Sequence, residues 1–184
     1  QSEKNISKVF ALDKRVEKNL ELVEKFIDIG VPRKQIFISG HSCGGLLTLM
    51  LLSAYPEKVG GGISYMQACF GKLSSKYKVK KVGPEEALAK FAKKRPGPAE
   101  LRERQINNIK QSNNVPVLAF THPMDKYEGL LSDWLDEVLG VKRIVISEDL
   151  KINGKSCVVK GDNWEESLST RKNGGHEMNQ GLCF

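Results

Sequence analysis

Apolar residues recur at Leu12, Val16, Leu20, Val23 and Ile27, with Lys and Glu between them. Steps of three and four residues place them on one face of a helix over 12–29. Gly30 is a natural stop, and VPRK (31–34) reads as a turn. The pattern then changes period. QIFIS (35–39) is a short β-branched and aromatic run suited to a buried strand. GHSCGG (40–45) leads straight into LLTLMLLSAYP, a run apolar on all sides that predicts a buried helix ending before Pro56. An apolar strand joined to an apolar helix by a glycine turn belongs at the centre of an α/β sheet.

Further along, VGGGISYM (59–66) predicts a strand, weakened by its three glycines, and VPVLAFT (115–121) a buried one. Helices are expected near 84–94 and 98–110, separated by RPGP. Another is expected over 127–139, with Leu130, Leu131, Trp134, Leu135 and Val138 turned inward. VKRIVIS (141–147) predicts a fourth strand, and 149–175 a long polar loop of functional character. Strands alternating with helices imply a mostly parallel sheet flanked by helices and joined by right-handed crossovers. The whole of 1–184 reads as one α/β domain with a lid-like helical insertion at about 71–114.

Charge refines this picture. The net charge is +7, and its excess sits in 71–110, where twelve Lys and Arg meet four Glu. A basic stripe can bind phosphate backbones. Tyr77 and Phe91 stand alone in it, however, so nothing is interleaved to stack on bases. A solvated face or substrate lid fits better than a nucleic-acid interface. No apolar run reaches the roughly 20 residues of a bilayer span. The four cysteines (43, 69, 157 and 183) form no metal-ligand spacing. Cys157 and Cys183 flank one late segment and are the candidate pair.

The chemistry centres on Ser42. Gly40, Ser42 and Gly44 form a G-x-S-x-G segment between a predicted strand and a predicted helix. Such a turn strains the central residue and exposes its hydroxyl, and small residues two places either side let strand and helix approach. The helix N-terminus favours developing negative charge, with the backbone N–H of Cys43 as an oxyanion donor. On this reading the Cys43 side chain is idle and Cys43→Ser is mild. Of the three histidines, His176 in NGGHEMN is the expected base, carried by a glycine-flanked loop. His122, just past the 115–121 strand, is an alternative base or a pocket-lining group, and His41 packs beside the elbow. Asp125 in THPMDKYEG, after the same strand, is the expected acid, with Asp149 and Asp162 as alternatives.

With these residues in place, the chain resembles the α/β-hydrolase superfamily over about 12–178. GHSCGG and the GVPRKQIFIS before it look most like its dienelactone-hydrolase-like and prolyl-oligopeptidase-like branches. The resemblance implies an ester or related small-molecule acyl substrate, a Ser-His-Asp triad, an acyl-enzyme intermediate, no cofactor and no metal. A prolyl-oligopeptidase-type peptidase and an inactive binding module on the same fold are the competing readings. The sequence departs from the pattern in three places. Its central nucleophile is Ser42 rather than the cysteine of true dienelactone enzymes, its acid loop reads THPMD rather than an HG-containing turn, and no HGGG-like segment precedes Ser42. Four predicted strands, against about eight in the fold it resembles, imply a partial α/β-hydrolase fold. IFIS is then expected as an exposed edge strand that a completing chain or second copy would cover.

Overall fold

The computed structural model of the chain describes residues 11–147 and 149–156. Helix α1 (Leu12–Asp28) turns Leu12, Val16 and Val23 inward. A 3₁₀ turn (Arg33–Gln35) leads to β1 (Phe37–His41), and α2 (Cys43–Ala54) starts two residues later. Strand β2 (Gly61–Tyr65) follows, then the insertion helices α3 (Leu73–Lys76), α4 (Val79–Val82), α5 (Pro84–Lys94) and α6 (Pro96–Lys110). Strand β3 (Val117–Thr121), a 3₁₀ helix (Gly129–Glu137) and β4 (Val141–Val145) close the main unit. Two short antiparallel strands, β5 (Lys151–Ile152) and β6 (Lys155–Ser156), lie in the expected polar loop.

The sheet runs β1-β2-β3-β4 and is parallel throughout. Helix α2 packs on β1 and β2, and α1 and α6 pack on α2 in turn. Leu49, Leu51 and Leu52 of α2 are fully buried, each contributing about 1.5–3 kcal/mol by leaving water. The opposite face holds a smaller cluster of Met66, Phe120 and Ile146, with Ile63, Tyr65, Leu118 and Ile144 only partly buried.

The structure refines three expectations. The helix expected over 127–139 is a 3₁₀ helix, and Leu131, Leu135 and Val138 face the core as expected. The insertion expected at 71–114 packs into the body of the domain. Leu73, Tyr77, Val79, Phe91, Leu101 and Ile109 belong to the main core, and the lysines around them are solvated. Strand β1 suits burial by composition but is the edge strand expected from the strand count, since among the described residues it pairs with β2 alone and Phe37 is 66% exposed. Among the described residues, no helix is long and apolar enough to cross a membrane.

Candidate active site

The register aligns His41 with Tyr65, and Tyr65 with Phe120. The loops leaving β1, β2 and β3 therefore emerge side by side at the carboxyl edge of the sheet, where open α/β sheets bind ligands. Ser42 opens the first of these loops at φ 58° and ψ −122°. A residue with a side chain rarely adopts that conformation, which costs about 1–3 kcal/mol and persists only where its surroundings impose it. Here they do. The Ser42 N–H donates to the Tyr65 carbonyl at 2.9 Å, and the Ser42 carbonyl accepts from Leu46 N at 3.2 Å and Ala68 N at 3.1 Å. The hydroxyl Oγ donates to the Ala68 carbonyl at 3.1 Å.

The glycines around Ser42 divide differently from the sequence expectation. A Cβ on Gly40 would lie 2.2 Å from the Gly44 carbonyl oxygen, so this position is closed to any side chain. Among the described residues, a Cβ on Gly44 would meet nothing within 4 Å, whereas one on Gly45 would lie 2.9 Å from both Ser64 Oγ and the Tyr65 carbonyl. The second close approach is therefore one residue later than Gly44, because helical periodicity turns 45 rather than 44 toward β2.

Cys43, the first residue of α2, is bonded to Cys69, with 4.6 Å between their Cα atoms. The expectation of an idle Cys43 side chain is thus overturned. The candidate pair Cys157–Cys183 lies outside the described residues. Cys43–Cys69 carried no spacing signal, because its 26-residue separation spans helix α2, strand β2 and the loops after each.

The loop after β3 is held as tightly. Asp125 is 2% exposed. Its carboxylate accepts from Tyr127 N at 2.8 Å and Glu128 N at 3.4 Å, and its own N–H donates to the His122 carbonyl at 2.9 Å. His122 is buried, and its Nδ1 accepts from Met124 N at 3.0 Å. In the neutral ring that contact leaves the proton on Nε2 and no second lone pair to take another. The insertion supports this loop, since Ser74 N donates to the Tyr127 carbonyl at 2.7 Å and Ser75 N to Lys126 at 3.1 Å. His41 is exposed at the end of β1, and Asp149 is exposed as well. His176 and Asp162 lie outside the described residues.

Sequence reasoning missed the ion pair beneath Asp125. Arg102 of α6, counted among the surface charges, is buried and donates to Glu128 through Nη2 at 2.7 Å and Nε at 3.3 Å. A third bond runs from Nη2 to the Leu131 carbonyl at 3.3 Å. The pair and the 66–69 loop line one small cavity of about 10 Å³, with Gln67, Ala68, Arg102 and Glu128 in its wall. Burial pushes the Glu128 carboxyl above the ordinary carboxylate range, and Arg102 pulls it back. The folded state thus holds this proton more tightly than the unfolded chain, so its contribution to stability falls as pH rises from the unfolded pKa toward the folded one. Arg102→Met is expected to cost about 3–5 kcal/mol by stranding a buried carboxylate and to steepen that fall. Glu128→Gln in the same background should recover part of the loss and flatten the profile. Urea denaturation from pH 4 to 8 checks both, and a double variant no more stable than Arg102→Met would contradict the account.

Residues 2–88, just under half of the chain, match the sequence profile of the phospholipase/carboxylesterase family. A protein of Oryza sativa subsp. japonica named "Probable carboxylesterase" is 41% identical over 49 residues, which are 27% of this chain and 18% of that one. Among solved structures, a variant of Arabidopsis thaliana SOBER1 is similar at TM-score 0.42 and 16% identity, over 73% of this chain and 54% of that one. A carboxylesterase structure of Nitrososphaera gargenis gives TM-score 0.44 and 16% identity over 73% and 62%. At scores this low the two likenesses carry no weight. The chain spans less than two thirds of the length of each of these relatives.

Proposed function

We propose that this chain, whose residues 2–88 match the phospholipase/carboxylesterase family, is an α/β-hydrolase that carries the nucleophile of a carboxylic ester hydrolase. Ser42 Oγ attacks the acyl carbonyl while His176 takes its proton. Asp125 fixes the imidazole tautomer and stabilises the imidazolium. The tetrahedral oxyanion is received by the Cys43 N–H at the start of α2, where the helix dipole favours negative charge. Collapse expels the alcohol, which takes the proton from His176 and leaves an acyl-Ser42. Water, deprotonated by the same imidazole, then releases the acid and restores the enzyme.

The observation that carries this reading is the backbone of Ser42, held at φ 58° between the last residue of a parallel strand and the first turn of a buried helix. Strain of that kind has no structural use that a glycine would not serve better. The two backbone donors to the Asp125 carboxylate support its role as the acid, since they fix its orientation.

The test is labelling of the whole chain with a fluorophosphonate probe and mapping of the modified peptide, beside a panel of p-nitrophenyl esters and aminoacyl-prolyl amides. Labelling at Ser42 with turnover of the esters is expected. Modification elsewhere removes the nucleophile assignment, and faster turnover of the prolyl amides would make the protein a peptidase instead.

A further inference from the structure

We propose that the Cys43–Cys69 cystine braces the elbow in its reactive geometry, so that its oxidation state sets the reactivity of Ser42. The inference rests on Ser42 being the nucleophile, and adds to it a pair of positioning residues.

The elbow is gripped from one side by the loop that follows β2. Ala68 N donates to the Ser42 carbonyl, and Ser42 Oγ donates to the Ala68 carbonyl, both at 3.1 Å. The disulfide joins the next residue of each partner, Cys43 to Cys69. Three successive links thus run between 42–43 and 68–69. Both sides of this clamp are strained, with Ser42 at φ 58° and Met66 at φ 44°. Strained backbone relaxes when its surroundings loosen. The residue anchored by sulfur is also the one whose N–H would receive the oxyanion, and a donor of that kind acts only if it is aimed beforehand.

The bridge is not what holds the fold together. The segment it closes contains β2, which is paired on both sides by β1 and β3, and α2 is anchored by Leu46, Leu49 and Leu52 in the main core. Losing the bridge therefore loosens the clamp and leaves the sheet standing. Cys43 and Cys69 are both partly exposed, so a small dithiol can reach them. In the exchange, the dithiol gives two electrons and two protons to the S–S bond. The protein is left with two thiols, and the reductant leaves as its own disulfide.

The experiment follows labelling of Ser42 by a fluorophosphonate probe in the whole chain, before and after dithiothreitol. Alkylation with iodoacetamide and peptide mapping reads the thiol state of Cys43 and Cys69, and near-ultraviolet circular dichroism reads the fold. Reduction is expected to slow the maximal labelling rate about tenfold or more, in line with the cost of small misplacements at a reacting centre. Probe affinity and the dichroism spectrum should hold, and reoxidation with diamide should restore the rate. Cys69→Ser should show the slow rate in both conditions. An unchanged rate with both cysteines alkylated overturns the brace. A slow rate accompanied by loss of the dichroism signal overturns it too, by making the bridge part of the fold alone. Labelling of Ser42 in neither state refutes the nucleophile on which it rests, and is told apart because the oxidised protein is then silent as well.

Discussion

Ser42→Ala is expected to abolish probe labelling and to lower ester turnover by about three to six orders of magnitude, because nucleophile and base act as one unit. The fold should hardly notice. Among the described residues, the substitution removes the hydrogen bond from Oγ to the Ala68 carbonyl, worth about 1 kcal/mol. Ser42→Gly makes the contrast sharper. Glycine adopts φ 58° and ψ −122° without the steric cost that serine or alanine bears. It should therefore be more stable than Ser42→Ala by roughly 1–2 kcal/mol, and just as inactive. A site that gains stability when its functional side chain is removed marks strain kept for chemistry. Thermal denaturation of the two variants, set beside their labelling, checks both halves. Residual labelling at Cys43, or a glycine variant less stable than the alanine one, would contradict the assignment.

The fold class was legible in the chain because its signals are local. The helix over 12–29 shows its periodicity within one element, and all four strands of the main sheet lie inside or within two residues of their predicted runs. The discrepancies are physical. Residues 35–39 are apolar enough to read as buried, and only the shortage of predicted strands marked them as an edge, which the exposure of Phe37 bears out. Composition reports what a segment would prefer to bury, not whether a neighbour lies beside it. Residues 127–139 show an apolar face, but Gly129 enters at φ 47° and the chain winds as a 3₁₀ helix whose inward residues recur at nearly the same spacing. The glycines that weakened the second predicted strand leave room for packing, since a Cβ on Gly62 would lie 2.8 Å from Thr48 Cγ2 of α2.

The site divides along the same line. Gly40, Ser42 and the residues around them announce themselves because a sharp strand-to-helix turn needs those residue types in that order. Cys69, Ala68, Arg102 and Glu128 act across 26 residues of chain, and nothing local distinguishes Arg102 from the solvated lysines and arginines near it. Only the packing of α6 against the loop after β3 shows that Arg102 is buried and already engaged.

Gly40→Ala is expected to have a large structural effect for a single methyl group. Its Cβ would sit 2.2 Å from the carbonyl oxygen of Gly44 and 2.9 Å from the Gly44 Cα. Both are backbone, so no rotamer change can relieve the overlap. Either strand β1 or the first turn of α2 must move, and each is fixed, β1 by its ladder to β2 and α2 by its buried leucines. The expected loss is about 4 kcal/mol or more, at the upper end for single substitutions, and labelling of Ser42 should vanish wherever the chain still folds. Gly45→Ala is expected to fall between, because one of its close contacts is the Ser64 hydroxyl, which can rotate, and the other is the Tyr65 carbonyl, which cannot. Gly44→Ala should be neutral or stabilising by up to about 1 kcal/mol, since alanine is the better helix former and the position has space. Thermal denaturation of the three variants should therefore rank Gly44→Ala first, Gly45→Ala second and Gly40→Ala last. Equal damage at 40 and 44 would mean that G-x-S-x-G acts here as a symmetric motif, and that the strand-to-helix crossing described above is wrong.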